Sequence, residues 1–354
     1  MRTSAARILP ASPLHRLMEE LFMAAGCEKD DAWIAADVLT EADLRGYGAH
    51  GLLRLPTMIR RLQSGMINPA ARPRVVRQRA GSAQVDADRA LGPVGALFGA
   101  RLALRKAADA GTATVGVVNG DHICMAGYYV EQIARAGCVG LITSVTQPLV
   151  HPLGGSDRLL GTNPLAVAIP ATGREPLLLD FATSEIAYGS VLTAKARGER
   201  LPDGVAVGPD GLPTTDPERA TQGALTPFGG HKGFGLCLVL GLLAGPLLGA
   251  KVGKPLGQAV REGHYDKGEL IVAFDPAAFG DPDTFQQAVR SHLDEVKASR
   301  KASGIDDIRI PGERAQAERA RRLKEGVPIE AEVWREVATI AEELRVNLPI
   351  EMAG

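Results

Sequence analysis

The sequence predicts an α/β protein in which a mixed β-sheet lies between helices that come from both ends of the chain. Short β-branched runs alternate with a helical pattern in the middle of the chain, as in an α/β layer. Helical spacing of apolar residues occupies residues 13–45 and 284–348. The length of 354 residues exceeds the size that one core usually serves, so two packed units are expected.

The N-terminal part is predicted to be helical and to end at a turn-rich segment. Apolar side chains recur at three- and four-residue spacing between residues 13 and 45. Residues 65–74 contain Gly, Asn and Pro and close this part. Residues 75–85 are then predicted to form one strand, and the Ala- and Leu-rich residues 92–110 a helix.

The central part is predicted to alternate between strands and helices. Strands are predicted at residues 113–119, 140–145, 164–170, 176–180 and 269–274. Residues 127–136 are predicted to be a helix, and the apolar residues 236–250 a buried helix at a subunit contact. Residues 198–223 are crowded with Pro, Gly and Asp, which predicts an extended loop or lid.

The charged C-terminal tail is predicted to return to the N-terminal helices. Its helical pattern is broken at residues 304–312 and 326–328. We therefore expect an N-terminal helical part at residues 1–80, a mixed α/β domain at 81–305, and C-terminal helices at 306–354 that pack with the N-terminal part.

Composition favours a small soluble ligand over a macromolecular partner. The chain has 40 Lys and Arg against 41 Asp and Glu, so it carries no basic footprint for nucleic acid and no polybasic membrane patch. Its four cysteines are far apart and form no C-x-x-C pair, and no spacing typical of metal ligands is present. Acidic residues interrupt the N-terminus before an export signal can form. We expect a cytoplasmic protein with reduced thiols and no metal site.

Two common nucleotide-binding motifs are absent. The glycine clusters at residues 92–95 and 230–235 do not match the Gly-x-Gly-x-x-Gly fingerprint, which argues against a Rossmann domain. Gly253-Lys254 is followed by Pro255 instead of Ser or Thr, so the phosphate loop of nucleotide hydrolases is excluded as well.

The segment from Gly48 to Pro56 carries a His and an Arg that can act on one substrate. On a helix, His50 and Arg54 would share a face, because residues four apart are neighbours there. Histidine can donate a proton to a developing alkoxide near neutral pH, and a guanidinium can hold a carboxylate through two hydrogen bonds. This pairing suits the reduction of a 2-oxo acid.

Further runs place small residues beside hydrogen-bonding ones, which lets a backbone approach a flat polar ligand closely. They are Gly154-Gly155, Gly161-Thr162-Asn163-Pro164, Asp180-Phe181-Ala182-Thr183-Ser184 and Pro227-Phe228-Gly229-Gly230-His231-Lys232-Gly233. Lys232, which lies among glycines, can contact a phosphate.

These runs resemble the malate/L-lactate dehydrogenase family of the non-Rossmann type. Two further motifs carry the same resemblance, Ala-His-Gly-x-x-Arg-Leu-Pro before the runs and Pro311-Gly312-Glu313 after them. The family also includes ureidoglycolate, sulfolactate and diketogulonate dehydrogenases and cyclic-imine reductases. The resemblance extends from about residue 41 to residue 346. It implies an oxidoreductase, usually a homodimer, with NAD or NADP bound in the mixed α/β domain and a small carboxylic acid as substrate.

The resemblance also implies roles for individual residues. His50 is expected to be the acid/base, although His122 beside the nicotinamide is an open alternative, and Arg54 is expected to hold the substrate carboxylate. Asp180 is expected to contact the cofactor and to orient His50. The other residues expected around the cofactor are Thr146, Asn163, Phe181, Ala182, Thr183, Ser184, His231, Lys232, Gly233, Gly312 and Glu313.

Two departures from the family pattern leave the substrate open. Ala49 stands where the family usually has Ser, which removes a hydroxyl next to His50. His122-Ile123-Cys124 replaces the usual His-Phe-Gly. Three hypotheses follow: a dehydrogenase of 2-hydroxy acids, a reductase of cyclic or N-alkyl 2-imino acids, and a cofactor-binding subunit that has lost catalysis. The sequence leaves the choice between NAD and NADP and the direction of the reaction open.

Overall fold

The computed structural model describes residues 7–349, which form strands and helices in alternation. The strands are β1 (Arg7–Leu9), β2 (Arg74–Arg79), β3 (Ser82–Asp86), β4 (Thr112–Val118), β5 (Val139–Ser144), β6 (Leu165–Ile169), β7 (Leu177–Phe181), β8 (Ala206–Val207), β9 (Ala224–Leu225), β10 (Gly268–Phe274) and β11 (Val327–Ile329). The helices are α1 (Ala11–Ala24), α2 (Lys29–Leu44), α3 (Leu55–Gln63), α4 (Gly92–Ala110), α5 (Ala126–Arg135), α6 (Tyr188–Arg197), α7 (Pro217–Gln222), α8 (His231–Ala244), α9 (Gly253–Arg261), α10 (Pro282–Ala298), α11 (Glu313–Glu325) and α12 (Ala331–Leu344).

A seven-stranded mixed sheet forms the centre of the protein, in the order β2-β3-β4-β10-β5-β6-β7. Only β3 and β4 are parallel neighbours, and the remaining pairs are antiparallel. Since β4 and β5 both run antiparallel to β10, and β7 runs parallel to β5 across β6, strands β4, β5 and β7 end at the same edge of the sheet. The predicted mixed α/β fold is confirmed.

Helices cover both faces of the sheet. Helix α4 packs so closely that Gly99 has no room for a side chain, because Val117 and Ile271 lie against its Cα. Gly116 faces the opposite side, where its missing side chain leaves space for Leu248 after α8. Neighbouring residues of a strand point to opposite faces, so Val115 and Val117, on either side of Gly116, line the α4 face.

Both termini of the described chain pack together. β1 pairs with β11 in a separate two-stranded sheet, with Arg7 opposite Ile329. Helix α12 contacts α1 and α3, and α11 contacts α2. The carboxylate of Glu41 in α2 accepts two hydrogen bonds from Arg319 in α11, which ties these helices together. The domain boundaries at residues 80 and 305 stay a prediction.

Two expectations from the sequence are wrong in detail. Residues 75–85 form a hairpin, β2 and β3, because Ala80-Gly81 turns the chain and the two strands pair antiparallel. Residues 198–223 are not only a loop. They contain β8 and α7, and they bury Leu201, Val205 and Ala220 in a small apolar cluster with α6.

Helix α8 is the most apolar helix among the described residues. Together with the turn that follows it to Leu248, it is long and apolar enough to cross a membrane by length and composition alone, and a third of it is buried inside the protein. Core helices of soluble proteins have the same property. Its outer face leaves Leu238, Val239 and Leu242 exposed.

Candidate active site

A cavity of about 310 Å³ lies at the sheet edge where β4, β5 and β7 end and β10 begins. Its walls come from the segments that follow α2, β4, β5 and β7, and from Tyr265 and Lys267 before β10. His50, Arg54, His122, Thr146 and Asp180 all line it. The fold therefore brings together predicted site residues from four separate parts of the sequence.

His50 and Arg54 reach the cavity from two consecutive 3₁₀ turns, not from one α-helix as predicted. Gly51 separates the turns with a backbone conformation that is not helical, φ −99° and ψ −139°. The carboxylate of Asp43 causes this break, because it accepts the N–H of Leu52 at 2.8 Å and occupies the space of a side chain at position 51. Both side chains still face the same cavity.

The imidazole rings of His50 and His122 are stacked, with their centroids 5.7 Å apart and their planes at 14°. Nδ1 of His122 accepts the backbone N–H of Cys124 at 3.0 Å. Cys124 achieves this in the left-handed conformation, φ +61°. A glycine adopts that conformation without cost, which explains the usual glycine of the family pattern.

Both histidines are neutral at physiological pH. Burial first, and then the positive charge of Arg54, lowers the pKa of His50 to about 4. Burial, Arg54 and His50 lower the pKa of His122 well below its ordinary value of 6.5. Burial also raises the pKa of the Cys124 thiol to about 12, so this cysteine is not a nucleophile. All four cysteines are buried and free of disulfides.

Asp180, near the end of β7, presents a carboxylate to the cavity. Its Oδ2 accepts the N–H of Gly127 at 2.7 Å, at the start of α5. Burial raises the pKa of Asp180 to about 6, and the Gly127 hydrogen bond opposes this shift. Within residues 7–349, no hydrogen bond joins Asp180 to His50, so Asp180 is held by the α5 backbone and not by the imidazole.

The predicted residues around β7 divide into cavity walls and buried supports. Phe181 and Ala182 line the cavity with Thr146. Asn163 is buried behind them, where its Oδ1 accepts the N–H of Thr146 at 3.2 Å and its Nδ2 donates to a carbonyl of α8. Thr183 is also buried, and its hydroxyl lies 3.0 Å and 3.1 Å from the carbonyl oxygens of Thr162 and Asn163, either of which can accept its proton.

The remaining residue of this run, Ser184, also has a local partner. Its hydroxyl donates to the carbonyl of Ile186 at 2.8 Å. Ser184 and the buried supports Asn163 and Thr183 therefore position the neighbouring wall and do not line the cavity.

His231, Lys232 and Gly233 begin α8 outside the cavity wall. The ring of Phe228, three residues earlier, meets the ring of Phe181 edge to face at 5.6 Å. Gly233 is required by packing, because the carbonyl oxygen of Phe228 occupies the space of a side chain there. Lys232 is exposed at the first turn of the helix, where backbone N–H groups have no intrahelical acceptor.

Gly312 and Glu313 lie outside the cavity, at the beginning of α11. Gly312 has φ +96°, and Leu178 of β7 packs against it. The carboxylate of Glu313 is already bound by Lys297 at 2.7 Å and by Arg174 at 3.1 Å. The carbonyl of Pro311 accepts the N–H of Leu178, so this segment lies two residues along β7 from Asp180.

Comparison with known proteins identifies the family. The sequence model described as malate/L-lactate dehydrogenase matches residues 9–338. The chain belongs to the malate/L-lactate dehydrogenase family. The resemblance predicted from the motifs is thereby confirmed.

Relatives in this family have different substrates in their names. The chain is 36% identical to the L-sulfolactate dehydrogenase of Methanothermobacter thermautotrophicus, over 98% of this chain and 99% of that protein. It is 34% identical to the Delta(1)-pyrroline-2-carboxylate reductase of Ancylobacter novellus, over 94% and 97% of the two chains. The solved sulfolactate dehydrogenase of Methanocaldococcus jannaschii superposes with a TM-score of 0.90 at 36% identity, covering 96% of this chain and 98% of that one.

The chain is therefore an enzyme, a dehydrogenase or reductase of a family of NAD(P)-dependent dehydrogenases that act on 2-hydroxy acids and cyclic imino acids.

Sequence reasoning missed a buried charged pair in the wall of this family member's cavity. Lys267 and Ser144 line the cavity, and Glu269 lies directly behind them on the central strand β10. The signal was available, because two charged residues two positions apart precede an otherwise apolar strand and share one face of it.

Proposed function

We propose that the enzyme transfers a hydride between the nicotinamide of NAD or NADP and C2 of a small 2-oxo or 2-hydroxy acid. One observation carries the proposal: a single cavity contains one guanidinium with no carboxylate partner among residues 7–349 and two neutral imidazoles stacked beside it. The cofactor supplies the hydride acceptor or donor when bound. The protein supplies the carboxylate anchor, the proton and the hydrogen bond to the reacting oxygen.

Arg54 is proposed to hold the substrate carboxylate. Its Nε donates to the carbonyl of Ala49 at 2.7 Å, which fixes the orientation of the guanidinium. The two terminal nitrogens remain for a bidentate contact, the geometry in which Arg binds carboxylates best. Because no acidic side chain in the described part of the chain competes for them, the substrate itself would complete the ion pair.

His122 is proposed to donate a hydrogen bond to the reacting oxygen. Since Nδ1 accepts the N–H of Cys124, the single proton of the neutral ring is on Nε2. A second proton on Nδ1 would face that N–H, and the lowered pKa of His122 also opposes it. The ring therefore acts as a fixed donor and not as the group that takes up a proton.

His50 is proposed to be the acid/base. Its pKa of about 4 leaves it neutral, so it can accept the hydroxyl proton as the hydride leaves C2 of a 2-hydroxy acid. In the reverse direction the imidazolium returns the proton to the forming alkoxide. A carboxylate bound to Arg54 would offset the positive charge that lowers this pKa, so proton uptake becomes easier when substrate is present.

The cavity wall has the composition that a nicotinamide needs. Phe181, Ala182 and Pro164 provide apolar surface, while Thr146 and Asp180 provide hydrogen-bonding atoms next to it. We propose that these residues hold the ring. His231 and Lys232 are proposed to contact the diphosphate at the N-terminus of α8, and Gly312 and Glu313 are proposed to lie nearest the far end of the cofactor.

A second candidate function is the reduction of a cyclic or N-alkyl 2-imino acid. Ala49 favours it, because an imine nitrogen can arrive protonated and needs less help from a hydroxyl beside His50. The similarity to a pyrroline-2-carboxylate reductase supports the same candidate.

The purified protein should be tested with NADH and NADPH against 2-oxo acids and cyclic imino acids, following the loss of nicotinamide absorbance. Turnover of any of these acids would also eliminate the inactive-subunit hypothesis. His50→Ala and Arg54→Ala serve as controls, and both should lose at least about a hundredfold in kcat/KM. If no acid in either class is reduced with either cofactor, the proposed function is wrong.

We further propose that the enzyme is a cytoplasmic homodimer that uses the outer face of α8 as its interface. Val239 and Leu242 are exposed there among other leucines. Light scattering should give about twice the chain mass of 37.3 kDa. Val239→Glu with Leu242→Glu should give the mass of one chain, and an unchanged mass would place the interface elsewhere.

A further inference from the structure

A buried ion pair that the proposed function does not use forms part of the cavity wall. Nζ of Lys267 donates to the carboxylate of Glu269 and, at 3.1 Å, to the hydroxyl of Ser144. The Ser144 hydroxyl also lies 3.3 Å from the Glu269 carboxylate. The Lys267 and Glu269 side chains are only 2% and 1% exposed, so neither charge is compensated by solvent.

This ion pair determines how many unpaired cations a substrate meets in the cavity. Arg54, Lys267 and Arg61 are the cations whose positive charges lower the pKa of His122. Lys267 is neutralised by Glu269, and Arg61 is neutralised by Asp121 at 2.5 Å. Arg54 is therefore the one cation of the three that has no carboxylate partner among the described residues. The cavity offers charge compensation for a single carboxylate.

Lys267 still has a donor to offer. An ammonium has three N–H groups, and two of them are taken by Glu269 and Ser144. Lys267 and Ser144 line the same cavity as Arg54. The third N–H can meet an uncharged oxygen of the substrate, whereas a second anionic group would lie next to the Glu269 carboxylate with no cation of its own.

We propose that Glu269 is a specificity-determining residue that neutralises Lys267 and thereby restricts the enzyme to acids with one carboxylate and an uncharged, hydrogen-bond-accepting distal end. The proposal rests on the proposed function, since Arg54 must hold the 2-oxo or 2-imino carboxylate. It selects a substrate class within the family, because dicarboxylates would be poor substrates.

The test compares kcat/KM for oxaloacetate with kcat/KM for its 4-methyl ester, which has the same reacting end and an uncharged distal end. The wild-type enzyme should prefer the ester by at least tenfold. A wild-type preference for oxaloacetate would overturn the proposal without any variant. Absence of turnover with every 2-oxo and imino acid would instead overturn the proposed function.

Variants of the ion pair test the cause. Glu269→Gln leaves the Lys267 ammonium unpaired, so the ratio should shift at least tenfold towards oxaloacetate. The double variant Lys267→Gln with Glu269→Gln removes both charges and should keep the wild-type ratio. A folded Glu269→Gln protein with an unchanged ratio would refute the role of Glu269. If this single variant does not fold, the proposal can still be overturned by a wild-type preference for oxaloacetate or by a changed ratio in the double variant.

Discussion

Asp180→Asn should stabilise the enzyme while impairing it. The substitution keeps the size of the side chain and leaves an oxygen to accept the N–H of Gly127. It removes a charge that burial disfavours, since the pKa of Asp180 is raised from 3.8 to about 6. A shift of this size corresponds to roughly 3 kcal/mol for keeping the carboxylate ionised in the folded protein.

The sign of the pH dependence follows from the raised pKa. Between the two pKa values, the Asp180 carboxyl is protonated in the folded protein and ionised in the unfolded chain. The free-energy cost of burying the carboxylate is therefore absent below about pH 4, grows towards pH 6 and is constant above it. Asn carries no charge at any of these pH values. The stability gain of the variant should therefore be about 1.4 kcal/mol larger at pH 8 than at pH 5.

Urea unfolding of the cofactor-free protein at pH 5 and pH 8 measures this difference. Asp157→Asn is a matched control, because the Asp157 side chain is 71% exposed and lies 3.7 Å from Lys254 at the surface. The control should change little with pH. A variant at position 180 that is destabilised by the same amount at both pH values would refute the argument. Its turnover should fall at least tenfold if Asp180 holds the cofactor.

Three further substitutions test the proposed contacts. Arg54→Lys should raise KM for the acid at least tenfold, because an ammonium cannot reproduce the bidentate contact. An amide analogue of the acid should have the same KM with the variant and the wild type. Equal effects on the acid and the amide would make Arg54 structural. Lys232→Ala should weaken cofactor binding by about 1.5–3 kcal/mol with substrate KM unchanged at saturating cofactor, and an unaltered cofactor Kd would exclude the diphosphate contact. Ala49→Ser should raise activity on 2-oxo acids relative to imino acids about tenfold, or about 1.4 kcal/mol, and a constant ratio would show that position 49 does not set specificity.

The sequence predicted elements whose pattern is local and missed features that depend on the tertiary structure. The strand predicted at residues 269–274 agrees with β10, and the helix predicted at residues 92–110 agrees with α4. Each of these segments has the residue pattern of one type of secondary structure along its whole length. The turn at Ala80-Gly81 was missed, because the residues on both sides have the same strand propensity. The 3₁₀ turns around Gly51 depend on Asp43, whose carboxylate is positioned by packing.

The candidate site shows the same division. Motifs led to His50, Arg54, His122 and Asp180, and all four line one cavity. The tautomer of His122 could not be predicted, because it depends on the backbone N–H of Cys124 in a left-handed conformation.

Other parts of the site follow from packing between strands. The contact of the Lys267–Glu269 pair with Ser144 could not be predicted, because Glu269 meets Ser144 only through the pairing of β10 with β5. Gly312 and Glu313 lie outside the cavity.

The assignment of His50 as acid/base and His122 as hydrogen-bond donor is tested most directly by placing Ala and Gln at each position. Gln keeps a neutral N–H donor but cannot accept a proton near neutral pH. In steady-state oxidation of the best 2-hydroxy acid at pH 8, His50→Gln should be as impaired as His50→Ala, with both down at least about a hundredfold. His122→Gln should stay within about tenfold of the wild type while His122→Ala falls well below it. Recovery by Gln at position 50 but not at position 122 would contradict the account.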